Sequence, residues 1–273
     1  MPTTTINGVD IYFERHGDEG EPLVFVHGYT GDITDWRYQV PEFSRTHRLL
    51  IFDLRGHGRS QAPADRASYN VVQMADDTEA LVASVGFDRY HLLGHSMGGA
   101  IVQEIALRSP GRLRSLTLED TSYRFGLGRN EQIAAWTAKR HKMAEEQGMA
   151  AVAALPAVAA TPPHLTAERQ AETQARLAGM SPDAFIGAWK HALEDWPGSE
   201  ERAGTISAST LVICGELDVG LVGASKKLAT LIPDATLAMI PEAGHSPQFE
   251  CPDAFNAVLR KHLAANASAS PAK

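Results

Sequence analysis

The stretch Gly94-His95-Ser96-Met97-Gly98 decides which fold this sequence predicts. An apolar run, 90–93, precedes it and a segment of helical character, 100–107, follows it, which places it between a strand and a helix. Glycine tolerates the positive φ and the close backbone approach of such a tight turn. The turn would present the Ser96 hydroxyl at a helix N-terminus, where free N–H groups favour developing negative charge. The pattern therefore predicts a nucleophilic serine.

Two later segments supply the partners that a serine nucleophile needs. Asp218 follows the apolar run 210–214, and His245 follows the run 236–240. A serine hydroxyl is a weak nucleophile at neutral pH, so it requires a histidine base, and the histidine requires a carboxylate that fixes its tautomer. We therefore expect Ser96, Asp218 and His245 to act together. Asp120, at the end of an earlier predicted strand, is the alternative for the acid.

A glycine-containing loop, His27-Gly28-Tyr29-Thr30-Gly31, follows the predicted strand 23–26. It can direct the backbone N–H of Tyr29 toward the same point as the backbone N–H of Met97. Two such donors form an oxyanion hole, which stabilises the negative charge of a tetrahedral intermediate. We expect His27 to hold this loop by hydrogen bonding rather than to act as the base.

Taken together, these motifs resemble the serine hydrolases of the α/β-hydrolase superfamily, in particular capped bacterial esterases, cofactor-free haloperoxidases and enol-lactonases. The resemblance extends from Ile6 to Leu263 and includes the segment Phe-Asp-Leu-Arg-Gly-His-Gly-Arg-Ser at 52–60. Epoxide hydrolases and haloalkane dehalogenases share this fold but carry an aspartate nucleophile, and Ser96 argues against both. The resemblance implies an α/β fold with a mostly parallel eight-stranded sheet flanked by helices, a helical cap inserted after strand 6, and neither a metal nor an organic cofactor.

The hydrophobic pattern divides the chain into two kinds of segment. Strands and helices alternate up to residue 120, including a predicted helix at 35–43, which favours a parallel sheet. An Ala-rich segment follows, with helices predicted at 131–147, 166–177 and 182–196. We predict a hydrolase core at 1–120 and 206–264, a helical cap at 121–205 and a flexible tail at 265–273. Pro162-Pro163 and Gly198 are candidate joints for a movement of the cap.

Aromatic and aliphatic residues near the predicted site are the candidates for substrate contact. Phe185 and Trp189 are four residues apart, so they share a helix face and form either an apolar roof or a cap-to-core contact. The sequence shows no basic cluster in the cap that would indicate a phosphate or polyanion ligand. The full set of candidates is Tyr29, Trp36, Phe125, Trp136, Phe185, Trp189, Val219 and Leu221.

These observations favour a hydrolase of small, largely apolar carboxylic esters or lactones that forms an acyl-enzyme on Ser96. The same residues also suit a carbon–carbon bond (diketone) hydrolase, a perhydrolase, an amidase or a thioesterase. An alternative from a different functional class, a binding protein rather than an enzyme, is a non-catalytic ligand-binding receptor on the hydrolase fold. An intact set of nucleophile, base and acid argues against that receptor.

The amino-acid composition limits the classes of molecule that this protein is expected to bind. The chain has 273 residues and a formal net charge of −8, which disfavours nucleic acid and anionic membranes. Its two cysteines, Cys214 and Cys251, form neither a disulfide framework nor a zinc pattern. We find no signal peptide and no apolar run of the ~18 residues that a membrane span needs. We therefore expect a cytoplasmic protein, monomeric or homodimeric, whose partner is a small-molecule ester or lactone.

Overall fold

A single sheet organises the part of the chain that the computed structural model describes, residues 2–126, 131–155 and 166–268. Its order is β1-β2-β4-β3-β5-β6-β7-β8. The strands β1, β2 and β4 pair antiparallel, and every other pair is parallel. The predicted mostly parallel, eight-stranded sheet is confirmed. The strands are β1 (Thr3–Ile6), β2 (Val9–His16), β3 (Glu21–Val26), β4 (His47–Phe52), β5 (Tyr90–His95), β6 (Leu113–Glu119), β7 (Thr210–Gly215) and β8 (Ala235–Ile240).

Helices join these strands and cover both faces of the sheet. The short helix α1 and the longer α10 lie on the side of Phe25 and Leu93, whereas α2, α3 and α8 lie on the side of Val24 and Leu92. Consecutive residues of a strand point to opposite faces, so a continuous apolar run contributes to both layers. The helices are α1 (Val40–Phe43), α2 (Val71–Ser84), α3 (Met97–Arg108), α4 (Glu131–Gln147), α5 (Met149–Ala153), α6 (Ala167–Ala178), α7 (Pro182–Gly187), α8 (Val222–Leu231), α9 (Pro247–Glu250) and α10 (Pro252–Ala265).

Two predicted helices differ from the structure. The segment predicted at 35–43 is a 3₁₀ turn, Ile33–Trp36, followed by the single turn α1. Asp32 accepts a hydrogen bond from the Thr34 backbone N–H and thereby starts that turn. The segment predicted at 182–196 is α7 continued by a π-helix at Ala188–Glu194. Periodicity does not distinguish a π-helix from an α-helix over so short a segment.

The helices α4 to α7 lie between β6 and β7 in the chain, where the sequence predicts a cap. The domain boundaries at 121 and 205 and the tail at 265–273 stay predictions. The candidate joint at Pro162-Pro163 and residues 269–273 lie outside the described residues. Gly198 has a φ of 88°, and a Cβ there would lie 2.5 Å from the Tyr123 carbonyl oxygen. None of the helices in the described ranges has both the length and the apolar character to span a membrane.

Candidate active site

The turn between β5 and α3 holds Ser96 in a conformation that side chains rarely adopt. Its φ is 51° and its ψ is −115°, a combination that costs energy unless the surroundings enforce it. The flanking glycines allow the turn to close. A Cβ on Gly94 would lie 2.3 Å from the Gly98 carbonyl oxygen, and a Cβ on Gly98 would lie 2.3 Å from the Val26 carbonyl oxygen. Both positions therefore require glycine.

Hydrogen bonds from the end of β6 fix the strained residue. The Ser96 backbone N–H donates to the Glu119 carbonyl oxygen at 2.8 Å. The Thr121 hydroxyl donates to the Ser96 carbonyl oxygen at 2.7 Å. The backbone N–H and the carbonyl oxygen of Ser96 thus both have hydrogen-bond partners. The conformation of the turn, and not a hydrogen bond from the hydroxyl to the backbone, sets the orientation of the Ser96 side chain.

The three residues expected to act together are within hydrogen-bonding distance. His245 Nε2 lies 3.0 Å from Ser96 Oγ, and His245 Nδ1 lies 2.6 Å from Asp218 Oδ2. Burial works to lower the pKa of His245, but the hydrogen bond and charge of Asp218 outweigh it, so the pKa lies above its ordinary value. Burial works to raise the pKa of Asp218, and hydrogen bonds from His245 and Asp120 outweigh it, so that pKa lies below its ordinary value. This arrangement places a base beside the hydroxyl and a carboxylate beside the base.

Asp120, the alternative acid, lies beside Asp218. Its side chain is fully buried and accepts a hydrogen bond from the Gly215 backbone N–H at 3.1 Å. Burial raises the pKa of Asp120 well above its usual range, which favours the protonated form. One ligand atom from each of Asp120, Asp218 and His245 lies within 4.8 Å of the others, so the donor types would suit a metal ion. The hydrogen bonds between Asp120 and Asp218 and between Asp218 and His245 also explain why the three side chains lie together, without a metal ion.

The predicted oxyanion donors lie beside Ser96. A Cβ on Gly28 would lie 3.1 Å from the Ser96 Cβ, so the loop after β3 passes directly over the serine. Among the described residues, the backbone N–H groups of Tyr29 and Met97 donate to no other protein group. The Leu54 backbone N–H donates to His27 Nε2 at 3.0 Å, and His27 Nδ1 lies 2.8 Å from the Gly28 carbonyl oxygen. Both ring nitrogens of His27 are therefore occupied in holding the loop.

His95, which we expect from its place beside Ser96 on a sharp turn to support the site rather than to contact substrate, has a positioning role. Its Nε2 lies 2.7 Å from the His245 carbonyl oxygen, which ties the end of β5 to the loop that carries the base. Burial lowers the pKa of His95 to about 4, so the ring is neutral near pH 7 and Nε2–H is the donor. Its position directly before the nucleophile gave no signal of this contact, because the partner is far away in sequence.

A cavity of about 380 Å³ opens above Ser96 and His245. This volume lies within the range of about 300–1,000 Å³ that small-molecule sites occupy. Helices of the cap form its upper wall, and the loops after β3 and β8 form its lower wall. The cap residues that line it are Arg140, Ala153, Leu155, Arg169, Gln170, Thr173, Gln174, Arg176 and Leu177.

Four of the predicted substrate-contact residues lie together next to this cavity. Tyr29 lines it and also lines a second space of about 20 Å³ with Trp136, Phe185 and Trp189. The Tyr29 ring centroid lies 5.5 Å from the ring centroids of both Phe185 and Trp189. The Tyr29 hydroxyl donates to the Phe185 carbonyl oxygen at 2.8 Å. Phe185 and Trp189 therefore pack on the Tyr29 side chain, and Trp136 lines the same small space.

The other four predicted contacts line neither of these two spaces, and the expectation for Trp36 is wrong. Trp36 is fully buried against Phe25, with ring centroids 4.9 Å apart, because the 3₁₀ turn directs it into the core. Phe125 packs on the main core and lies 6.2 Å from the Trp196 ring. Val219 is 90 % exposed to solvent. Leu221 caps the start of α8 and lines neither cavity.

The expectation that the cap carries no basic cluster is also wrong, because Arg140, Arg169 and Arg176 all line the cavity. Arg169, Thr173 and Arg176 are spaced i, i+4 and i+7, so α6 presents them on one face. That spacing is the sequence feature from which a basic helix face could have been predicted. Arg140 comes from α4, and only the packing of the cap brings it to the same cavity. Apolar contacts come from Ala153, Leu155, Leu177 and Phe249, so the wall is mixed rather than an apolar roof.

Comparisons with known proteins agree with this architecture. An esterase from Thermogutta terrifontis, described as malate-bound, is 25 % identical, with a TM-score of 0.83 and coverage of 98 % of this chain and 99 % of that chain. An N-acyl homoserine lactone degrading enzyme is 29 % identical, with a TM-score of 0.81 and coverage of 95 % and 99 %. The dihydrolipoyllysine-residue acetyltransferase component of the acetoin cleaving system of Pseudomonas putida is 31 % identical over 92 % of this chain. The chain spans 66 % of that relative's length.

The family model described as the alpha/beta hydrolase fold matches residues 21–252. That match includes six of the eight strands, the turn at Ser96 and both partner loops. The chain belongs to the α/β-hydrolase family.

Proposed function

We propose that this hydrolase cleaves a small carboxylic ester or lactone through an acyl-enzyme on Ser96. The observation that carries the proposal is the continuous contact from Asp218 through His245 to the Ser96 hydroxyl, at the floor of the cavity. Two solved neighbours at or above 25 % identity are described as an esterase and as a lactone-degrading enzyme, which supports this substrate class.

In the first half of the reaction, His245 Nε2 accepts the Ser96 hydroxyl proton while Oγ forms a bond to the carbonyl carbon. The carbonyl oxygen becomes an oxyanion between the backbone N–H groups of Tyr29 and Met97, where one donor is typically worth about 10²–10³ in rate. Asp218 stabilises the imidazolium. His245 then gives the proton to the leaving oxygen as the carbon–oxygen bond breaks, so an ester releases its alcohol and a lactone opens its ring.

In the second half, water replaces the alcohol. His245 accepts a proton from the water as its oxygen attacks the acyl carbon, and the same oxyanion hole holds the second tetrahedral intermediate. The bond from the acyl carbon to Oγ breaks, and His245 returns the proton to Ser96. The net reaction adds one water molecule to the ester and consumes no other reactant.

Initial rates on p-nitrophenyl esters from acetate to decanoate test the proposal, together with lactone opening followed by pH-stat. We expect Ser96→Ala to lower kcat/KM by about 10⁴–10⁶-fold. Ser109→Ala is the matched control, since it removes a hydroxyl at the other end of α3 that makes no capping hydrogen bond to the described residues that follow it. We expect it to retain activity.

Covalent labelling separates an enzyme from a receptor on the same fold. A sulfonyl fluoride should add its mass to Ser96 in the wild type and should leave Ser96→Ala unlabelled. If the folded protein neither labels nor turns over any ester or lactone, the hydrolase mechanism on Ser96 is wrong and a binding role takes its place.

A further inference from the structure

The charged side chains of the cavity differ in whether they already have partners. Arg169 and Arg176 donate to the same oxygen of Asp35, at 2.9 and 2.7 Å. Asp35 is buried, and the two guanidinium groups hold its pKa at about 2 against the effect of burial. Glu250 accepts hydrogen bonds from backbone N–H groups of the loop that carries His245. Each of these four groups therefore has a partner within the protein, and Arg176 has its carboxylate partner through Nη1 while its buried Nε makes no hydrogen bond to the described residues.

Arg140 is the exception among these charged residues. Across the described ranges, no carboxylate lies within 4.0 Å of its guanidinium group, and its buried Nε has no hydrogen-bond partner. The side chain is half-buried. Burying a cation without an anion is unfavourable, so a guanidinium in the cavity above Ser96 that has no carboxylate partner among the described residues favours an anionic ligand.

Aromatic rings hold the Arg140 guanidinium in place. Its central carbon lies 4.4 Å from the ring centroid of Trp136 and 5.3 Å from that of Phe185. Contact with aromatic faces stabilises the cation and restricts the side chain, and it leaves N–H edges for a planar acceptor. Arginine binds carboxylates in this way, often with two parallel hydrogen bonds.

The position of Arg140 connects it to the reaction centre. Arg140 and Ser96 line the same cavity of about 380 Å³. Tyr29, whose backbone N–H is the candidate oxyanion donor, lines both this cavity and the smaller space next to Arg140. A small molecule in the cavity can therefore present one end to Ser96 and the other to Arg140.

We propose that Arg140 forms a carboxylate-binding subsite, and that the substrate is an ester or lactone that carries a free carboxylate. This inference rests on the proposed function, because it names the substrate class of the same site. Hydrogen bonds to charged groups contribute enough to change the rate by about 10- to 100-fold. The subsite would select anionic substrates over neutral esters of the same size.

Matched substrate pairs test the subsite. The first pair is mono-p-nitrophenyl glutarate and p-nitrophenyl valerate, which share an acyl chain length and differ in the terminal carboxylate. The second pair, 4-carboxyphenyl butyrate and phenyl butyrate, places the charge on the leaving group. Each is measured with the wild type and with Arg140→Met, which keeps an unbranched apolar side chain against Trp136 and Phe185 and removes the charge. Lys139→Gln is the control, because it removes one positive charge from an exposed position of α4 next to Arg140.

We expect the wild type to prefer the anionic member of at least one pair. Arg140→Met should reduce that preference by about 10- to 100-fold, with little change for the neutral ester, and Lys139→Gln should preserve it. Ser96-dependent hydrolysis of neutral esters, with a preference that Arg140→Met does not change, would overturn the subsite and leave the proposed function standing.

A binding measurement keeps the two proposals separate. Glutarate binding is measured by calorimetry with the wild type and Arg140→Met, with butyrate as the probe that has one carboxylate fewer. We expect glutarate to bind the wild type and to lose about 10- to 100-fold in affinity in Arg140→Met. If glutarate binds the wild type and Arg140→Met with equal affinity, the carboxylate subsite is wrong. This result does not depend on whether Ser96 hydrolyses any substrate.

Discussion

His245 Nδ1 lies 2.6 Å from Asp218 Oδ2, and this contact raises the pKa of the histidine above its ordinary value of 6.5. Only the neutral ring can accept the Ser96 proton, so activity is lost as the pH falls through the raised pKa. We expect the acidic limb of a kcat/KM profile on a p-nitrophenyl ester to have its midpoint above 6.5. A midpoint below that value would show that burial, and not the contact with Asp218, dominates the pKa of His245 in solution.

Asp218→Asn removes the charge and keeps the size of the side chain. We expect kcat/KM to fall by about 10³–10⁴-fold, because an amide neither stabilises the imidazolium nor favours the correct tautomer. The acidic limb of the residual activity should move to lower pH, since the group that raises the pKa is gone. Glu216→Gln, an exposed carboxylate of the same loop, is the matched control and should leave both the rate and the limb unchanged.

Asp120→Asn decides between the two candidate acids. Burial favours the protonated form of Asp120, and asparagine resembles a protonated carboxyl in size and in its ability to donate and accept. We therefore expect a loss in kcat/KM of less than about tenfold, far smaller than for Asp218→Asn. If Asp120→Asn is the more damaging of the two substitutions, the acid assigned to Asp218 belongs to Asp120.

Gly98→Ala tests the tight packing of the turn. Its Cβ would meet the Val26 carbonyl oxygen at 2.3 Å, and backbone cannot yield as a flexible side chain can. We expect a loss of about 1–3 kcal/mol in the free energy of unfolding by urea titration, together with a fall in activity as Ser96 shifts. Gly111→Ala is the control, because no atom lies within 4 Å of its Cβ position, and its stability should change by less than about 1 kcal/mol.

Asp35→Asn breaks the contact between α6 and the core. The folded pKa of Asp35, about 2, lies below its ordinary value of 3.8. A lowered pKa means that the charge contributes stability above the ordinary value and loses it as the pH falls through the folded value. We expect Asp35→Asn to cost about 2 kcal/mol at pH 7 and the difference from wild type to shrink as the pH falls from 5 toward 2.

A surface pair serves as the comparison for Asp35. Glu42 pairs with Arg260, whose side chain is 57 % exposed, so Glu42→Gln should cost less than about 1 kcal/mol. Hydrogen exchange adds a local readout: Asp35→Asn should increase exchange in α6 more than in β5. Equal stability losses for Asp35→Asn and Glu42→Gln would contradict the role of Asp35 as a buried anchor.

Local sequence was sufficient for the elements whose geometry depends on neighbouring residues. Gly94 and Gly98 around Ser96 specify a turn that no residue with a Cβ can form, and the apolar run of β5 specifies a strand buried on both faces. The partner loops at Asp218 and His245 were predictable because each follows such a strand, and parallel strands bring their carboxyl ends to one edge of the sheet.

Long-range packing decided what the local pattern left open. Trp36 is aromatic and near the site in sequence, but a 3₁₀ turn directs it into the core. Val219 follows the acid directly, but its loop exposes it to solvent. In each case the side chain's direction depends on one or two backbone turns whose geometry the residue types do not determine.

By itself, the sequence determined the tight turn at Ser96, the order of the strands along the chain and the two loops that carry the candidate base and acid, because these follow from backbone sterics and hydrophobic periodicity. Only the tertiary structure decided what surrounds them. Arg140 and Arg169 lie on different helices, and their meeting in one cavity with Ser96 depends on how the cap packs. This packing also decides which of these arginines has a carboxylate partner: among the described residues, Arg169 pairs with Asp35, whereas Arg140 pairs with no carboxylate.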